Sequence, residues 1–163
     1  MPPVNAQLSP PPRRPIRELP DELISQIAAG AKEIKLGAVH PTRDFSFVTD
    51  TARAFEALAE CDAAVGQVVN AGSGFEISIG DTAQAIIDLM GSDARIVTDD
   101  QRLRPEASEV ERLWADSDLM RSLTGWAPEY GEGGGFRRGL QETIDWFSDP
   151  ANLARYKTDR YVL

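Results

Sequence analysis

Cysteine and histidine occur once each, as Cys61 and His40, and this scarcity removes several kinds of chemistry. A lone thiol closes no intrachain disulfide, so a reducing compartment suits the chain. One imidazole and one thiol are too few soft ligands for a zinc or haem site, so no metal is expected. A nucleophilic triad needs an imidazole base, but His40 is followed by Pro41 with no serine or cysteine motif nearby. Surface exposure or packing is the better account of it. Basic residues are in deficit too: 17 Lys and Arg against 26 Asp and Glu give a net charge of −9 and a pI near 4.6. Such a surface repels polyanions, and adjacent basic residues occur only as the pairs Arg13-Arg14 and Arg137-Arg138, which argues against a nucleic-acid partner. No apolar run approaches the roughly 20 residues that span a bilayer. The N-terminus also lacks a charged segment followed by an apolar one, so no secretion signal is read there. The expectation is a cytoplasmic protein with no membrane partner.

What is present suits one ordered domain of the α/β class. The chain has 163 residues, 42% hydrophobic and 26% charged, enough to bury a core. Seven of its eleven prolines fall in the first twenty residues, where apolar side chains are too sparse to offset the entropy of ordering the backbone. Residues 1–15 therefore read as a disordered, proline-rich arm and 16–163 as the folded region. "LPDELISQIAAG" places Leu19, Leu23, Ile24, Ile27 and Ala28 at helical spacing before Gly30. "KEIKLG" alternates like a half-buried strand, and Phe45, Phe47 and Val48 extend the chain after it. Ala52, Phe55, Leu58 and Ala59 then form one face of a helix. "GQVVNAGSG" reads as a strand running into a glycine-rich turn.

Ser78 and Asp81 have the spacing of a capping box, opening a helix with Ala83, Ile86, Ile87 and Met90 inward and Gly91 as its stop. "ARIVTDD" is the next strand. A short helix follows in "DSDLMRSLTG", capped by Asp116 or Ser117 and ended by Gly125, and a long one carries Phe136, Leu140, Ile144 and Phe147 on one stripe. "GEGGGF" is expected to be a flexible loop before that last helix.

Few motifs carry chemistry on their own. "NAGSGFEISIG" offers Gly72 and Gly74 after a strand, but position 77 is Ile where a dinucleotide fingerprint needs its third glycine. A structural turn is the better reading. Asp99-Asp100 reads as a solvated acidic turn. What stands out is Arg43 at a strand entrance, Arg104 before Pro105, and Arg112 in "SEVERLWAD". Gathered in a cleft of an acidic protein, forked guanidinium donors would recognise a phosphate that the remaining surface repels.

"TRDFSFVTDTARAF", "VVNAGSG", "RLRPEASEVERLWADS" and "LTGWAPEY", followed by "GFRRGLQETIDWF", occur in the same order in extended short-chain dehydrogenase/reductases acting on nucleotide sugars. From about residue 21 onward the chain resembles their C-terminal half, most closely that of the 4,6-dehydratases. "FEISIGDTA" and "YKTDRYVL" look like the UDP-N-acetylglucosamine 4,6-dehydratases. The resemblance implies that Arg43, in the Arg-Asp-Phe motif, and Arg112 contact the substrate diphosphate, and that Asn70 lies near the nucleotide. The ligand implied is a UDP- or dTDP-linked sugar. The family oxidises that sugar at C4 with NAD, removes water across C5–C6 and returns the hydride to C6. It binds NAD on an N-terminal Rossmann domain and uses a Tyr-x-x-x-Lys pair. Four residues beyond Tyr130 and Tyr156 stand Gly134 and Arg160, and Tyr161 lies too near the end. The expectation is therefore a substrate-binding portion, truncated or split and inactive alone, with no catalytic residue and no cofactor on this chain. The alternative is a non-catalytic module that complements a Rossmann-domain partner chain. Ser108 and Glu111 have capping-box spacing, whereas the resemblance implies an extended segment there.

Overall fold

The computed structural model describes residues 19–99 and 110–153; the proline-rich arm, Asp100, Arg104, Ser108, Tyr156, Arg160 and Tyr161 lie outside them. Helix α1 (Leu19–Ala28) leads to β1 (Glu33–Leu36) and β2 (Thr42–Asp44), followed by α2 (Val48–Ala59) and a 3-10 turn at Asp62–Ala64. Strand β3 (Glu76–Ser78) runs directly into α3 (Ile79–Leu89), then β4 (Arg95–Thr98) and β5 (Arg112–Leu113). Helices α4 (Asp118–Thr124), α5 (Glu132–Ser148) and α6 (Pro150–Leu153) complete the described chain. The α/β class expected from the sequence is the class observed.

Two small sheets result among the described residues. β1 and β4 pair in parallel, Ile34 opposite Ile96, and α3 lies between them in the chain, as a parallel connection requires. The second sheet has the order β3-β2-β5, antiparallel between β2 and β3 and parallel between β2 and β5. The main core joins α1, α3 and α5 to β1. Leu23, Ile24, Ile34 and Ile86 are at most 1% exposed and meet Leu140, Ile144 and Phe147. Each such side chain contributes about 1.5–3 kcal/mol when fully buried, so this cluster dominates the packing. Ala28 is exposed, and the side chain of Leu19 falls outside the described residues.

Local signals decide several boundaries. Ser78 Oγ accepts from the Asp81 amide at 2.9 Å and donates to the Asp81 carboxylate at 2.7 Å, so the expected cap opens α3. Gly125 ends α4 in the left-handed region, with φ 71°. Asp116, rather than Ser117, supplies the side-chain acceptor at the start of α4, to the Asp118 amide at 2.9 Å.

Four local expectations differ from what is observed. Val48 is the first residue of α2 and not a continuation of the extended chain. Helix α2 is rotated from its expected face: Ala54 is buried with Ala57 and Leu58 packed beside it, while Phe55 is 71% exposed. The cause is Asp50, 1% exposed, which accepts from the amides of Glu129 and Tyr130, each at 2.9 Å, and pins that side of the helix inward. Residues 67–70 pair with no described strand. Of the glycines in "GEGGGF", Gly133, Gly134 and Gly135 belong to the first turn of α5 and Gly131 is its N-cap. A Cβ on Gly135 would stand 2.6 Å from the Tyr130 carbonyl carbon, so close helix-to-loop packing explains a glycine there.

Candidate functional site

Arg43, Asn70 and Arg112 lie around β3-β2-β5 and the turn at 70–74, while Arg104 is outside the described residues. Strand alternation organises them. Thr42 pairs with Arg112, Asp44 with Glu76, and Arg43 with Ile77 and Leu113. Thr42, Asp44, Glu76 and Arg112 therefore share one face of the sheet, and Arg43 leaves from the other.

Arg112 is held on two sides. Its Nε reaches Glu76 Oε1 at 2.9 Å and Oε2 at 2.7 Å, and its Nη2 lies 2.7 Å from Oε2. The guanidinium carbon also stands 5.6 Å from the centre of the Trp114 ring. Glu76 accepts a further hydrogen bond from the Thr42 hydroxyl. Arg112 first, and Thr42 after it, hold the Glu76 carboxyl below the usual carboxylate range. Glu76 in turn raises the pKa of Arg112. Arg43 Nη1 donates to the Thr42 carbonyl at 2.7 Å and the Val110 carbonyl at 2.8 Å, which brings its tip to the start of the edge strand β5. Asn70 is exposed on the extended segment leading into the turn. The segment at 110–113 is extended, as the family resemblance implies. The Glu111 carbonyl accepts from the Thr42 amide at 2.8 Å, and its carboxylate lies 3.1 Å from the exposed His40 ring.

The glycine-rich turn is built around Asp44. Its Oδ1 accepts from the Ser73 amide at 2.8 Å and the Ser73 hydroxyl at 2.6 Å; its Oδ2 accepts more weakly from the Gly74 and Ala115 amides, at 3.4 and 3.3 Å. The Gly72 amide donates to Ser117 Oγ at 2.8 Å. Amides that would cradle a pyrophosphate thus already serve internal acceptors, and the turn enters strand β3 where a dinucleotide fold would place a helix N-terminus. The turn does not fit NAD. Beside it is an open groove of about 250 Å³ lined by Asp44, Ser46, Ala71, Gly72 and Leu113–Ala115. Typical ligand pockets measure roughly 300–1,000 Å³, so the groove is smaller than a complete ligand pocket.

Sequence reasoning missed Asp44, Ser73, Glu76 and Trp114. A signal for Glu76 was available: in "FEISI" the polar Glu76 and Ser78 alternate with Phe75, Ile77 and Ile79, which marks a polar strand face. Among the described residues no group of three or more His, Cys, Asp or Glu side chains could hold a metal ion. No described helix is long and apolar enough to cross a membrane.

The family model described as GDP-mannose 4,6 dehydratase matches residues 10–142. GDP-L-fucose synthase 1 of Arabidopsis thaliana is 31% identical over 119 residues, which are 72% of this chain and 34% of that protein. An epimerase from Methanothermobacter thermautotrophicus superposes with a TM-score of 0.74 at 27% identity, covering 85% of this chain and 39% of that one. The dTDP-glucose 4,6-dehydratase of Bacillus anthracis, solved in complex with NAD, gives 0.65 at 27% identity, covering 80% and 39%. The UDP-N-acetylglucosamine 4-epimerase of Methanobrevibacter ruminantium, in complex with UDP-N-acetylmuramic acid, gives 0.69 at 25% identity, covering 88% and 42%. The chain thus spans well under half the length of these relatives. It is a member of the GDP-mannose 4,6 dehydratase family, within the extended short-chain dehydrogenase/reductases.

Proposed function

We propose that residues 16–163 form the nucleotide-sugar-binding portion of an NAD-dependent 4,6-dehydratase or epimerase, with Arg43 and Arg112 meeting the diphosphate of a UDP- or dTDP-linked sugar and Asn70 lying near its nucleotide. The observation that carries this reading is Arg112, a pinned guanidinium beside a groove and a turn that follows Asn70, on a chain of net charge −9. Arg43 reaches the start of β5 from the opposite face of the sheet, so a diphosphate laid across that edge would meet both arginines. Relatives solved with UDP-linked ligands support the ligand class. NAD and the proton-moving pair belong to the family's dinucleotide-binding half, in the same polypeptide or in a partner chain. A covering half of that kind suits the exposed Val48, Phe55, Val65 and Val68, which are 70–90% exposed.

Calorimetric titration of UDP, dTDP and GDP into the purified chain tests the reading and ranks the bases. Each arginine should contribute about 1.5–3 kcal/mol through charge-assisted contacts. Arg43→Ala and Arg112→Ala should each weaken binding at least tenfold. Unchanged affinity in both variants would refute the assignment.

A further inference from the structure

We propose that Glu76 is the positioning residue of this site: it fixes one edge of the Arg112 guanidinium so that the other edge is presented to the phosphates of a nucleoside diphosphate. The inference rests on the function proposed above and adds a residue to it. A guanidinium has two forked edges, one made by Nε and Nη2 and one by Nη1 and Nη2. Glu76 takes the first edge, with contacts of 2.7–2.9 Å. Trp114 lies 5.6 Å from the guanidinium carbon on one face. Nη1 makes no hydrogen bond among the described residues, and the Arg112 side chain is 64% exposed where that of Glu76 is 23% exposed.

The carboxylate is itself steadied by the hydroxyl of Thr42 on the neighbouring strand. A long, flexible side chain is thereby ordered before any ligand arrives, and an anion binding the outer edge loses less conformational entropy in ordering it. Glu76 could instead compete with the anion for Arg112, and the two roles predict opposite signs.

The test is titration of UDP and of inorganic pyrophosphate into the full chain and its variants, with circular dichroism confirming the fold. Glu76→Ala should weaken binding about tenfold, the loss expected for a charge-assisted contact. Glu76→Gln, which keeps an acceptor for Nε, should recover most of that loss. In an Arg112→Ala background, Glu76→Ala should add nothing. Thr42→Val, nearly isosteric, should weaken binding about threefold and serves as the test if Glu76→Ala does not fold.

Binding by Glu76→Ala within twofold of the parent chain would overturn the role, as would an equal loss with Arg112 already removed. Tighter binding by Glu76→Gln would overturn it in favour of competition. If the parent chain binds neither UDP nor pyrophosphate, the anion site falls and this role with it; binding that ignores Glu76 overturns the positioning role alone.

Discussion

Asp44 Oδ1 accepts from the amide of Ser73 at 2.8 Å and from its hydroxyl at 2.6 Å, joining β2 to the glycine-rich turn. Ser73 is 4% exposed, so neither bond has water as a ready substitute. Asp44→Ala should lower stability by about 2–4 kcal/mol, since removing the acceptor leaves buried donors unpaired. Urea denaturation monitored by tryptophan fluorescence measures it.

Gly72 tests the same joint from its steric side. A Cβ there would stand 2.6 Å from both Ala115 Cβ and Asp44 Oδ2. Gly72→Ala should cost about 1–3 kcal/mol through forced displacement and should weaken UDP binding by distorting the groove. Calorimetry on a variant still folded by circular dichroism checks the second effect.

Asp50 should be among the least replaceable polar residues. It anchors the amides of Glu129 and Tyr130 and pairs with Arg53 at 2.5 Å. Asp50→Ala should destabilise the chain by about 2–4 kcal/mol, because two part-buried amides and Arg53 lose their acceptor. Asp50→Asn, which keeps acceptor capacity, should cost less; the urea midpoints of the two variants give the comparison.

Stability should fall on the acid side for an identifiable reason. The Glu76 and Asp93 carboxyls are held low, chiefly by hydrogen bonds from Arg112 and Lys32. With folded values depressed, the unfolded chain binds more protons. The stabilisation is therefore complete above the ordinary carboxylate pKa, about 4, and is lost as pH falls through the folded values. Denaturation midpoints between pH 6 and 3 should decline less steeply in Glu76→Gln/Asp93→Asn than in the parent chain.

The alkaline side has its own reporter. The Tyr130 hydroxyl donates to Glu142 at 2.9 and 3.0 Å, and this bond raises the phenol pKa. Its stabilisation is present below the ordinary tyrosine value, about 10, and lost as pH rises through the folded one. Ultraviolet titration should find a late tyrosine transition that vanishes in Tyr130→Phe and moves earlier in Glu142→Ala.

The sequence made legible what neighbouring residues determine. The Ser78–Asp81 cap and the stripe from Phe136 to Phe147 depend on residues within a few turns of one another, and both are observed. The inward face of α2 was only partly legible: Leu58 packs inward as expected, but Ala52-Phe55-Leu58-Ala59 and Ala54-Ala57-Leu58 both fit helical spacing. The choice is made by Asp50 and amides 79 and 80 positions away. Arg112 could be marked as a phosphate candidate, whereas its restraint by Glu76 depends on β3 and β5 flanking β2, an order that local pattern does not encode.

The long separations within the site bear on the order in which the chain folds. Asp44 meets Ser73 across 29 positions and Ala115 across 71, while α3 and α5 form from contacts within a single stretch. Closing long loops costs entropy before any contact rewards it, so the individual helices should form first, and the long-range contacts, the packing of α1 on α5 as well as the Asp44 joint, should close late. Substitution of Asp44 should then hasten unfolding and leave refolding nearly unchanged, a φ-value near zero.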